Sequence, residues 1–200
     1  MNEKILILDF GSQLTQLIGR RLRELKVYCE IYPYHHFPEP DASVKGVILS
    51  GSPCSVKDKD APSIDLSGIK GNIPLLGICF GAQYLATRYG GDVHSSLSRE
   101  YGRAMLNILE PASPLFRNVS SPTTVWMSHQ DSIDTLPHGT VNLASTNDVQ
   151  YAAFRFEGEY TYAVQFHPEV YHTIHGSRIL ENFALGICQC KGDWTPSGFI

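Results

Sequence analysis

The sequence predicts an α/β fold: an open, mostly parallel sheet with helices on both faces, plus an added antiparallel edge or small sheet. Three observations carry that expectation. Lys4–Asp9 is a continuous apolar run of the kind that forms a strand buried on both faces, and Leu14, Leu17, Ile18, Leu22 and Leu25 follow it at helical spacing. Further strand-like runs at Val27–Tyr32, Lys45–Leu49 and Leu75–Ile78 recur at intervals that suit right-handed crossovers. From Ala104 onward short β-like runs alternate with turn-rich segments, the pattern of antiparallel addition.

Taken in order, the first strand is followed by Gly11 and Ser12, with Ser12 the predicted N-cap of a helix over Gln13–Lys26. Arg20, Arg21, Arg23 and Lys26 sit late in that helix, where they complement its dipole and form a solvated face. Val27–Tyr32 is closed by Pro33, and Lys45–Leu49 runs into the turn Ser50-Gly51-Ser52-Pro53-Cys54. Leu75–Ile78 ends at Cys79, after which Ala82, Leu85, Ala86 and Tyr89 have helical spacing. Ligands of such sheets bind beyond the carboxyl ends of the strands, which places the 50–54 turn and Cys79 on one rim. Ala104–Leu109, Thr123–Met127, Val141–Ser145, Tyr151–Phe156 and Tyr162–Phe166 are the expected later strands, with Glu157-Gly158-Glu159 as a hairpin connection. Ile179, Leu180, Phe183, Ala184 and Ile187 mark a final amphipathic helix. Residues 1–188 read as one domain, and 189–200, with Gly192, Pro196 and Gly198 and no periodicity, as a linker or docking tail.

Composition narrows the function classes. Two hundred residues, 42% hydrophobic and 18% charged, suit one folded domain. A net charge of −4 gives no support for a nucleic-acid or membrane-surface partner. No apolar run approaches the ~20 residues of a membrane span, and the first residues do not form a secretory signal. Five cysteines, an odd number, do not make a disulfide framework, so a reducing cytoplasm is the expected compartment.

The chemistry gathers at Pro74–Gln83, a strand, a sharp turn and a helix with a thiol at the turn. This is the layout of a Gly-x-Ser-x-Gly nucleophile elbow with Cys79 in the serine position, flanked by Gly77 and Gly81 where a Cβ would clash. A thiol at a helix N-terminus also gains from the positive end of the dipole. Such a nucleophile needs a proton-transfer partner. His167 ends an apolar strand, and in an extended chain Glu169 lies on the same side, placed to orient the imidazole. His129 closes another strand and could reach the same rim, whereas His35 and His36 read as loop residues. His172, His175, Cys188 and Cys190 lack the spacing of a metal site, and no metal is expected. Neither Gly-x-Gly-x-x-Gly nor a phosphate-loop lysine follows the first strand.

Gly77-Ile78-Cys79-Phe80-Gly81-Ala82-Gln83, the 49–55 turn and Phe166-His167-Pro168-Glu169 together resemble the class I (triad) glutamine amidotransferases over nearly the whole chain. The resemblance implies a flavodoxin-like sheet and hydrolysis of L-glutamine, with Cys79, His167 and Glu169 as the triad. It implies an oxyanion hole of the Ser52 and Phe80 N–H groups, and a glutamine site at Gly51, Gln83, Ser128, His129, Gln130 and Asp131. The segments at 7–13, 99–103, 125–129 and Cys188–Trp194 are similar to the branch that feeds ammonia to a synthetase (ATP pyrophosphatase) domain aminating xanthosine monophosphate. That domain, with its ATP and Mg, is not expected in this chain, and Arg99–Arg103 is a candidate contact with it. Ser52 and Gln130 stand where the family usually has glycine. If position 130 needs a left-handed backbone or a close approach to substrate, glutamine there costs about 1–3 kcal/mol of strain or crowds the pocket, and the second reading is a fold-retaining regulatory or binding module with weak or no glutaminase activity.

Overall fold

The computed structural model describes residues 3–196, with the backbone alone for 96–100. Among these residues one sheet of nine strands runs in the order β2-β1-β3-β4-β9-β8-β7-β5-β6. The parallel part comprises β1 (Lys4–Asp9), β2 (Tyr28–Pro33), β3 (Val44–Leu49), β4 (Leu75–Ile78) and β9 (Thr161–Val164). Its order, with β9 in the fifth place, is that of the flavodoxin-like sheets. Antiparallel pairings then carry the sheet outward through β8 (Ala153–Phe156), β7 (Thr140–Ser145), β5 (Asp92–Ile108) and β6 (Thr123–Thr135).

Helices cover both faces, because the central strands are apolar on both. On one side Ile18 and Leu22 of α1 (Thr15–Glu24) pack with Ile179 and Leu180 of α3 (Gly176–Glu181) against Ile5, Ile7 and Ile48. On the other, Ala82, Leu85 and Ala86 of α2 (Phe80–Arg88) pack against Leu6, Leu8 and Leu49. Phe183, Ala184 and Ile187 lie as expected on the buried side, though 182–187 is π-helical and not a continuation of α3 as an α-helix.

Several expectations are corrected. Ser12 does not cap α1: its hydroxyl accepts the Leu14 N–H two residues on, and the helix starts only at Thr15. The connection from β3 to β4 contains no helix. Residues 50–74 hold Pro53, Pro62 and Pro74 and have no helical apolar spacing, and buried Leu66 and Ile69 pin the segment to the sheet. The strands expected at 104–109 and 123–127 are parts of a far longer antiparallel ribbon, β5 with β6. At the other end of the chain, Cys188 and Cys190 are buried, and Trp194 N–H donates to Lys26 O at 2.9 Å with its ring against Tyr28. Residues 197–200 of the expected tail, and the side chains of Arg99 and Glu100, lie outside the described residues.

Candidate active site

Cys79 stands between β4 and α2 with φ +52° and ψ −105°, a strained turn of the kind that lifts a nucleophile off the end of a strand. Two glycines permit it. A Cβ on Gly77 would lie 2.7 Å from the Gly81 carbonyl group, and one on Gly81 would lie 2.6 Å from Leu49 O. Strand and helix are therefore closer here than any side chain allows. Cys79 N–H donates to Val164 O at 2.8 Å, which ties the elbow to β9, and the thiol points to Ser128 O at 3.6 Å.

β9 also delivers the partner. Three residues past its end, His167 Nδ1 lies 2.7 Å from Glu169 Oε1, and the two residues are 4% and 1% exposed. Burial works against an imidazolium here. The Glu169 carboxylate, followed by Cys79, outweighs it and holds His167 well above the ordinary histidine range. Among the described residues Glu169 Oε2 is buried without a hydrogen-bond partner, so the imidazolium is the main compensation for that carboxylate.

A cavity of about 430 Å³ opens over the thiol, lined among others by Ser52, Cys79, Phe80, Gln83, Ser128 and Asp131. The sequence-predicted residues thus converge, but not all in the same way. Among the described residues the N–H groups of Ser52 and Phe80 donate to no backbone carbonyl, which leaves both available at the mouth of the elbow. Gly51 is packed beside His167, where a Cβ would lie 3.5 Å from Cε1. Gln83 is 4% exposed, with Nε2 donating to Asp131 O at 2.7 Å and to Gln165 Oε1 at 3.2 Å. Its amide is thereby oriented by the protein. Asp131 is buried and accepts from Ser95 Oγ at 3.1 Å.

His129 is a buried wall residue. Its Nδ1 lies 2.8 Å from Asp131 O, and burial drives it down to about 4, so the ring is neutral at pH 7 with the proton on Nδ1. Gln130 is the exposed neighbour on the cavity rim, inside β6, and its φ is not in the left-handed region, nor is that of Ser52. The strain expected at Gln130 is therefore absent.

The remaining histidines are dispersed. His172 stacks on Trp126 at 4.3 Å, and His175 Nε2 lies 2.8 Å from Ser120 Oγ. Sequence reading missed Thr173, which donates to His167 O, and Arg21, which donates from Nε to Glu169 O at 2.9 Å. Neither stands in a motif that announces chemistry. It also missed Asp58 and Tyr101 on the cavity wall.

The family model for glutamine amidotransferase class-I matches residues 6–187. The chain belongs to the class I glutamine amidotransferase family. Among curated relatives, "GMP synthase [glutamine-hydrolyzing]" of Christiangramia forsetii is 57% identical over 200 residues, and the corresponding protein of Porphyromonas gingivalis is 56% identical. Each alignment takes in 100% of this chain and 39% of the relative, so the chain spans well under half the length of the curated relatives it matches. A crystal structure from Thermoplasma acidophilum, provisionally named for one part of a GMP synthase, superposes with a TM-score of 0.81 at 34% identity. That match covers 94% of this chain and 95% of the other. No helix among the described residues is long and apolar enough to cross a membrane.

Proposed function

We propose that this chain is the glutamine-hydrolysing part of a GMP synthase. It converts L-glutamine to glutamate and ammonia and passes the ammonia to a synthetase domain or subunit that aminates xanthosine monophosphate. The observation that carries the chemistry is a thiol on a strained elbow beside a buried histidine–carboxylate pair. Relatives named for glutamine-hydrolysing GMP synthesis, similar over the whole of this chain, support the choice of recipient.

Cys79 Sγ attacks the side-chain amide carbon of glutamine. The oxyanion that forms is held by the N–H groups of Ser52 and Phe80. His167 gives its proton to the nitrogen as the C–N bond breaks and ammonia leaves, while Glu169 holds the ring and offsets its charge. Water then attacks the γ-glutamyl thioester, His167 takes up its proton, and glutamate departs with the thiolate restored. Gly51, Gln83, Ser128, His129, Gln130 and Asp131 form the glutamine side of the cavity. Residues 1–188 constitute the catalytic unit, and 189–200 lead toward the synthetase part, where ATP and Mg act. The reaction belongs to the cytoplasm.

The second reading, a fold-retaining binding module, drew on strain or crowding at Gln130; the φ there is ordinary, so its one remaining support is the side chain's place on the cavity rim. Treatment with a glutamine-analogue electrophile followed by peptide mapping tests the enzyme. Cys79 is expected to carry the adduct and Cys79→Ser to release no glutamate, with and without an added synthetase domain. Labelling at Cys54 or Cys188 in place of Cys79 sinks the proposal.

A further inference from the structure

Resting on the reading of His167 as the proton carrier, we propose that Thr173 is a positioning residue. Its hydroxyl bridges β6 to the His167 carbonyl and so fixes where the imidazole meets the thiol and the substrate. Thr173 Oγ1 accepts the Trp126 N–H at 3.0 Å and donates to His167 O at 2.7 Å. His167 N–H in turn donates to Trp126 O at 3.0 Å. Both backbone polar groups of His167 thus end on Trp126, one directly and one through a single hydroxyl.

Thr173 is only 4% exposed, so its hydroxyl cannot exchange these partners for water. One atom must both accept and donate here, which serine and threonine can do and valine cannot. The rest of the loop holds Thr173 in place. Its N–H donates to Val170 O at 3.1 Å, and Gly176 N–H donates to Thr173 O at 3.0 Å. The chain folds back so tightly that a Cβ on Gly176 would lie 2.0 Å from Pro168 O.

The bridge matters because of what β6 carries. Two residues beyond Trp126 comes Ser128, whose carbonyl faces the Cys79 thiol, and Asp131 lies farther along the same cavity wall. Thr173 therefore ties the backbone of the proton carrier to the wall that faces the substrate. Thr173 itself does not line the cavity, so its effect passes through His167. The charged and titratable groups reaching His167 are Glu169 on its own loop, Cys79 at the elbow and His129 on β6. Arg21 of α1 holds the Glu169 carbonyl.

The test compares the full chain with Thr173→Val and Thr173→Ser. Four quantities are read: kcat and KM for glutamine hydrolysis, the rate of Cys79 alkylation by iodoacetamide at one fixed pH, and the thermal midpoint. Removing the hydroxyl is expected to lower kcat about 10- to 100-fold, the scale of a small misplacement of a catalytic group, with KM nearly unchanged. The alkylation rate falls as well, because the thiol loses a well-placed imidazole. Serine restores both readings.

A merely structural threonine would lower the thermal midpoint and leave kcat and the alkylation rate of the folded protein where they were. Thr173→Ala serves in the same way if the valine variant does not fold. Wild-type kcat and alkylation rate in a hydroxyl-free variant, or failure of serine to restore them, overturns the proposal. Failure of the functional reading looks different: the wild-type chain itself would show no glutamine turnover.

Discussion

Nδ1 of His167 lies 2.7 Å from Oε1 of Glu169, and both side chains are nearly sealed from water. A buried pair at this distance is costly to break, because either partner left alone is an uncompensated charge. Glu169→Gln is therefore expected to lower kcat for glutamine hydrolysis about 10²- to 10⁴-fold, the usual share of acid–base catalysis. It removes the strongest influence that raises His167, so burial prevails and the alkaline limb of the rate moves to lower pH. A steady-state pH profile of the variant checks this, and an unmoved limb contradicts the assignment.

The same pair makes stability depend on pH. His167 is raised on folding, so its contribution is fully present below pH ~6.5 and is lost as pH rises through the folded value. His129 runs the opposite way. Folding lowers it from 6.5 to about 4, so its contribution is complete above pH ~6.5 and is lost as pH falls toward 4. At 1.36 kcal/mol per pH unit this amounts to about 3 kcal/mol. Urea unfolding between pH 7 and 4 should show a loss of that order in the wild type and a much smaller one in His129→Asn. Parallel curves would mean that other groups drive the acid sensitivity.

At the elbow the prediction is steric. Alanine at Gly81 would meet Leu49 O at 2.6 Å and Leu49 Cβ at 2.8 Å, both parts of the central sheet. Gly81→Ala is expected to destabilise the chain by ~2 kcal/mol or more, toward the upper range of overpacking costs. Gly68→Ala, where the added Cβ meets nothing within 4 Å, is the control. Equal midpoints in chemical denaturation for the two variants would contradict the close approach.

Gln130 gives a fourth test. It sits in β6 with an ordinary φ, so glycine there relieves no strain and only adds freedom to the unfolded chain. Gln130→Gly should lose roughly 0.5–1 kcal/mol of stability. A gain of that size or larger would revive the case for a strained, altered pocket.

Much of this arrangement was legible because its signals are local. Apolar runs placed the first four parallel strands, whereas β9, expected among the antiparallel additions, pairs parallel with β4; a cysteine between two glycines after an apolar run placed the elbow. His167 and Glu169 could be paired from their spacing alone. The β5–β6 ribbon was read short for a physical reason. Burial alternates along β6 from Thr123 to Ile133, but beyond Met127 the inward positions are His129 and Asp131. Hydrophobic alternation ends where the site begins, while the strand continues. Thr173 and Arg21 left no trace because they act on backbone carbonyls, and a lone threonine or a helix-end arginine has commoner uses.

The tie from Cys79 N–H to Val164 O bears on when the site is assembled. β4 and β9 are sheet neighbours whose sequence positions lie far apart, so the elbow and its proton carrier meet only after the chain between them has been made and folded. Until β9 slots into place, Cys79 has neither the imidazolium nor the wall of β6 beside it. On the proposed reading, a nascent or partly unfolded chain therefore holds the thiol apart from its histidine, and the site is complete only with the last parallel strand. Topological distance acts here as a safety catch, written into strand order and needing no inhibitory segment.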